Sequence, residues 1–242
     1  MRYPMALLVC AACASAPALA RLAPTADGAD LRPLFRELKL PIRPQGARGA
    51  CSVFTVTGAL EFALSKQRRG PVILSPEYLN WATNQVIGNR TEDRGQFFAD
   101  LWRGFERHGI CLEAEMPYAP RFYAEYLPSR RAERTAAAIR GQGPRMHWIK
   151  PNDGMTGITE GHLTAIQRVL RAGWPVCAGS YHSVLIVAYR QDPALPGGGT
   201  FVIRDSGSGL EGTMSFEEAR ARLCDVLWIE AAGAPAEEKG QP

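Results

Sequence analysis

The sequence predicts an α+β fold, with helices supplied by its N-terminal half and an antiparallel β lobe by its C-terminal half. Three observations carry this reading. Helix-spaced apolar residues fill 51–64 and 97–105. β-rich runs separated by turn residues occupy 175–179, 183–189, 200–204 and 226–229. Between the two halves, 119–157 is broken by glycine and proline and serves as the lobe boundary, apart from an arginine- and alanine-rich helix expected around 130–140. With 242 residues, 46% of them hydrophobic, the chain can bury a proper core as one domain or two small lobes. Its net charge of +4 is spread over mixed signs, and the arginine pairs at 68–69 and 130–131 lack interleaved aromatics. They read as solvated surface, and no nucleic-acid partner is expected.

Taken in order, residues 1–20 read as a signal peptide. Arg2 precedes the apolar run Ala6 to Ala14, and Ala18-Leu19-Ala20 is a small-x-small cleavage pattern. A secreted or periplasmic mature protein starting near Arg21 is expected. The run is too short for a membrane span, and no other stretch approaches the length needed. Residues 21–44 hold four prolines and read as an extended N-terminal strap. Next, the loop from Gln45, with glycines at 46 and 49, delivers Cys51 to the head of a segment whose apolar residues crowd more than one face. Such a helix is enclosed by its own domain. A helix start favours thiolate over thiol, which turns a cysteine into a nucleophile. The competing view is a buried residue or half of a disulfide. Gln45, six residues upstream, could swing its amide beside the sulfur and donate to a developing oxyanion.

Ser75 caps and Pro76 opens a second helix. A third follows Gly95, with Phe97, Phe98, Leu101, Trp102 and Phe105 as a core stripe and Gly109 as its stop. Thr159 to Gly173 is amphipathic, with Leu163, Ile166, Val169 and Leu170 inward. Two β runs, 175–179 and 183–189, predict a hairpin with His182 at the mouth of its second strand. A turn at 193–199 leads to a strand over 200–204 that delivers Asp205. Ser215 to Glu218 is a capping box, 226–229 closes the sheet, and the Ala/Glu/Pro-rich tail over 231–242 reads as disordered. No paired Cys/His spacing suggests a metal, and Gly197-Gly198-Gly199 lacks the lysine of a nucleotide loop.

Several of these segments together resemble papain-like cysteine peptidases of the bacterial exported branch. Gln45-x5-Cys51 before an apolar helix resembles the nucleophile segment, Leu74-Ser75-x3-Leu79 a helix start, and Gly109-Ile110-Cys111-x-Glu113 with Pro117-Tyr118 a passage of bacterial members. The run His182-Ser183-Val184-Leu185-Ile186-Val187-Ala188-Tyr189 resembles the histidine strand, and Asp205-Ser206-Gly207-Ser208 lies where the family has Asn-Ser-Trp-Gly. The resemblance covers about Pro44 to Glu230. It implies a two-lobe papain-like peptidase domain over 45–230, with a helical lobe over about 45–125, a β lobe over about 145–230 and the active site in the cleft between them. It also implies that Cys51 attacks a peptide carbonyl, His182 shuttles the proton, Asp205 orients His182, Gln45 stabilises the oxyanion and Gly95 binds substrate backbone. The substrate is then a peptide or protein, no cofactor is needed, and any inhibitor or effector target stays open.

The sequence departs from the pattern in several places. Ser52 replaces the aromatic after the nucleophile, Arg94 the first of two paired glycines, and Gly207 the tryptophan that shields the histidine pair. Arg48 stands where many members carry a second cysteine that braces the loop. If Cys51 is the nucleophile, Cys111, Cys177 and Cys224 form at most one bridge. Two other classes compete: a catalytically inert papain-like binding module, and a cysteine acyltransferase of transglutaminase type.

Overall fold

The computed structural model describes residues 27–231. The expected signal peptide and all of the expected tail beyond Ala231 lie outside them. The 21–44 segment is not simply extended. It carries β1 (Gly28–Asp30) and α1 (Arg32–Glu37). Then come α2 (Cys51–Arg68), α3 (Pro76–Ile87), α4 (Phe98–His108) and α5 (Arg130–Arg140). The rest is β2 (Arg145–Lys150), α6 (Glu160–Arg171), β3 (Val176–Gly179), β4 (Val184–Gln191), β5 (Gly199–Asp205), β6 (Leu210–Ser215), α7 (Phe216–Arg222) and β7 (Asp225–Glu230). Helices thus dominate the first half, and one seven-stranded antiparallel sheet the second. Its order is β2-β7-β3-β4-β5-β6, with β1 added to β4.

Local chemistry sets several boundaries. The Ser75 hydroxyl accepts from the Tyr78 amide at the start of α3, and Ser129 caps α5 in the same way through Ala132. Thr159 with His162 and Ser215 with Glu218 form capping boxes on α6 and α7. α4 does not take up the whole expected stripe. Phe97 is its N-cap and is 63% exposed, because the chain enters the helix there in an extended conformation.

α2 is the buried spine of the molecule. Almost every side chain from Ser52 to Ser65 is shielded, and Phe62 meets Phe35 at 4.6 Å and Trp174 at 6.4 Å between ring centroids. The helix lies on β3 and β4. Cys177 Sγ is 3.7 Å from the Thr55 carbonyl, and a Cβ added to Gly58 would sit 3.4 Å from Leu185. Burying such a residue set removes several large apolar side chains from water, at about 1.5–3 kcal/mol each. Among the described residues no helix is long and apolar enough to cross a membrane.

Candidate active site

The Gln45–Cys51 loop is shaped by two glycines. Gly46 takes φ +65°, a left-handed turn that costs glycine little. Gly49 packs so closely on the neighbouring loop that a Cβ there would lie 3.1 Å from the Asp93 carbonyl oxygen and 3.3 Å from the Gly95 nitrogen. Cys51 is the first residue of α2, partly exposed and unbridged. Ala50 supplies no side-chain cap, so the first-turn N–H groups leave their positive polarity beside the sulfur.

Gln45 is fixed at four points. Its backbone N–H donates to the Ser206 carbonyl at 2.9 Å, and its carbonyl accepts from Tyr118 Oη at 3.0 Å. In the side chain, Oε1 accepts from Ser206 Oγ at 2.7 Å while Nε2 donates to the Arg48 carbonyl at 2.8 Å. Those partners settle which end of the amide is nitrogen. One amide hydrogen is committed to Arg48, and the second is left for another acceptor.

His182 enters from the short β3–β4 connection, where Ser180 Oγ donates to its carbonyl at 2.8 Å. Its Nε2 lies 2.6 Å from Asp205 Oδ1, at the end of β5. Asp205 also accepts from the amides of Gly207 at 2.8 Å and Ser208 at 3.2 Å. Burial pushes the Asp205 carboxyl up, but the hydrogen bonds from His182, Ser208 and Gly207 outweigh it and hold it below the ordinary carboxylate range. An ionised carboxylate only accepts, so Nε2 carries the hydrogen and Nδ1 is the nitrogen available to exchange a proton. The pair is partly wet, with the side chains of His182 and Asp205 exposed by 33% and 22%. A Cβ at Gly207 would lie 3.1 Å from His182 Cε1, so position 207 abuts the imidazole and glycine leaves it uncovered.

Gln45 is hydrogen-bonded to Ser206 and His182 to Asp205, and the peptide bond between Asp205 and Ser206 ties the two pairs together. Cys51 is brought to the same end of the sheet by its neighbours. Ser52 Oγ accepts from the Gln96 amide at 3.3 Å. Phe98, two residues on, approaches Gly179, which ends β3 three residues before His182. Gly95 sits on the exposed side of this loop with nothing within 4 Å of where its Cβ would be. The residue that sequence reasoning passed over is Ser206. It was visible only as the serine beside Asp205.

The remaining histidines have structural surroundings. His162 completes the α6 cap, His108 packs on Trp81, and His147 stacks on Trp228 at 4.3 Å with Nε2 3.0 Å from Glu230. All four described cysteines are free, so the bridge that remained open is absent among them. No group of described residues is arranged to hold a metal ion.

No family model matches the chain, and no curated protein matches it in sequence. Its fold does match solved structures. Xylellain, a cysteine protease from Xylella fastidiosa, aligns with a TM-score of 0.63 over 85% of this chain and 86% of its own, at 16% identity. The Amb a 11 cysteine protease of ragweed pollen, in its proform, gives 0.62 over 86% and 67% at 15% identity. Digestive procathepsin L 3 of Tenebrio molitor larval midgut gives 0.57 over 86% and 70% at 16% identity. The chain has the papain-like cysteine protease fold.

Proposed function

We propose that the protein is an exported papain-like cysteine peptidase that hydrolyses peptide bonds in peptide or protein substrates. The observation that carries this reading is the 2.6 Å His182–Asp205 pair, linked through Ser206 to a clamped Gln45 amide at the end of the sheet where α2 presents Cys51. Cys51 gives its proton to His182 Nδ1, and the thiolate sulfur attacks the scissile carbonyl carbon. The oxyanion takes the free Gln45 amide hydrogen and the Cys51 N–H, while the Gly95 segment lies along the substrate backbone. Collapse of the tetrahedral species expels the amine, which takes the proton from His182. Water, deprotonated by the same imidazole, then releases the acid and restores the thiol. Asp205 holds the ring and stabilises its cationic form.

Alkylation of the folded protein with iodoacetamide across pH, with each modified cysteine mapped, is the direct test. Rapid labelling of Cys51 in mildly acidic buffer, where ordinary thiols are sluggish, and its slowing in His182→Ala are expected, together with turnover of a fluorogenic peptide pool. Slow labelling indifferent to His182 points instead to an inert binding module. Product that forms only when an added amine is present points to acyl transfer.

A further inference from the structure

We propose that Arg48 is a positioning residue for the oxyanion donor Gln45, a role that rests on the peptidase reading. Its side chain is 3% exposed, and a guanidinium buried that deeply is tolerated only when fully paired. It is paired from three separate parts of the chain. Nη1 meets Glu77 Oε2 at 2.5 Å, Nε meets Asp93 Oδ2 at 3.1 Å, and Nη1 also donates to the Ala119 carbonyl at 3.0 Å. The plane lies over the Tyr118 ring, 4.6 Å from its centroid.

What this anchoring holds still is the Gln45 amide. The Arg48 carbonyl accepts from Gln45 Nε2 at 2.8 Å and from the Ala50 amide at 2.9 Å, one residue before the nucleophile. Tyr118, pinned beneath the guanidinium, donates to the Gln45 carbonyl. One buried arginine thus governs both the rotation of the amide and the height of the backbone that carries it. It stands where the resembling peptidases place a bracing cysteine, so in this chain charge and stacking brace the oxyanion loop. An oxyanion donor works only when held in place before the charge develops. A brace of this kind should therefore act on turnover through Gln45.

The test is a double-mutant cycle with Gln45→Ala and Arg48→Met, plus Arg48→Lys, read by kcat and KM on a fluorogenic peptide pool and by the iodoacetamide rate at Cys51. Arg48→Met should lower kcat about tenfold, a fraction of what losing an oxyanion donor costs, while Cys51 alkylation stays within about twofold. In the Gln45→Ala background the same substitution should lower kcat by less than about twofold, because the group it positions is gone. Arg48→Lys, with the charge but not the fork, should fall between wild type and Arg48→Met. Equal losses in both backgrounds, or alkylation falling in parallel with kcat, would overturn the proposal and leave Arg48 as scaffold. If Arg48→Met does not fold, Asp93→Asn, which frees one side of the guanidinium, enters the cycle under the same criteria. Failure of the peptidase reading looks different: wild type then turns over no peptide, and the positioning role falls with it.

Discussion

The Gln45–Cys51 loop and the His182–Asp205 pair are the two halves of the candidate site, and they are built in opposite ways. The loop is locked from beneath by a buried guanidinium between two carboxylates, with its glutamine held at four points. The pair is one bond at a partly wet surface, with bare Gly207 against it. Under the proposed peptidase chemistry, the contrast follows from what each half would do. An oxyanion donor gains from rigidity, since it stabilises charge without reorganising. An imidazole that takes and gives protons needs one reliable acceptor on its far nitrogen and tolerates water nearby. Failures should differ accordingly, with damage to the pair lowering activity and damage beneath the loop lowering stability as well.

The sharpest way to break this comparison is His182→Ala. Peptide turnover should fall by roughly 10⁶, while the thermal midpoint hardly moves. Gln45→Ala should cost about 10² in kcat with KM less affected, as measured by steady-state kinetics. Glu77→Gln probes the foundation instead. It strips the buried Arg48 of its closest counter-charge and should destabilise the fold by about 3 kcal/mol in urea unfolding. Asp205→Asn keeps a carbonyl acceptor for Nε2 and should hold kcat within about tenfold of wild type. A drop as large as that of His182→Ala would show that the negative charge, not the acceptor, is what matters.

The smallest expected effect is a pH dependence of stability, in which individual carboxyls differ in sign. Asp205 sits below the ordinary carboxylate range in the fold, so its contribution is present above that range and lost as pH falls through its lowered value. Burial drives Glu61, on α2, up to about 7 against the pull of Arg43, and it drives Asp225 up to about 6 against Lys150. Raised carboxyls favour the protonated fold. Their contribution is present at low pH and is lost as pH climbs from their ordinary 4.5 and 3.8 through those raised values. Urea titrations between pH 4 and 8 should therefore show stability declining toward neutrality, and Asp225→Asn should flatten the lower part of that decline.

What the sequence made legible tracks how local each feature is. The caps of α3, α6 and α7 are written in adjacent residues, and the β3–β4 hairpin announces itself as two apolar runs around a short turn. β1, β2 and β6 were missed because their pairing partners are distant or their faces are half solvated. β1 is three residues added to β4, and β2 pairs only with β7, reaching from Arg145 to Glu230. Phe97 kept the helical spacing of its neighbours but stands outside the helix. At the candidate site, Cys51 begins α2, Asp205 ends β5 and His182 lies in the short β3–β4 connection two residues before β4, so each could be singled out from local pattern alone. The weight carried by Arg48 could not. Its carboxylate partners are 29 and 45 residues away, and in sequence it read only as a missing cysteine.

The free thiols have a practical consequence for counting functional molecules. Burial pushes Cys111 up to about 12 and raises Cys177 further still, so neither offers a thiolate to a reagent at neutral pH. Cys224 is partly exposed near Thr156, and with Cys51 it is one of two reachable sulfurs among the described residues. Replacing Cys224 by serine would make the described domain a single-site reagent. The fraction of protein gaining one adduct in a mass spectrum would then report directly how much of a preparation carries a free, reachable Cys51 thiol.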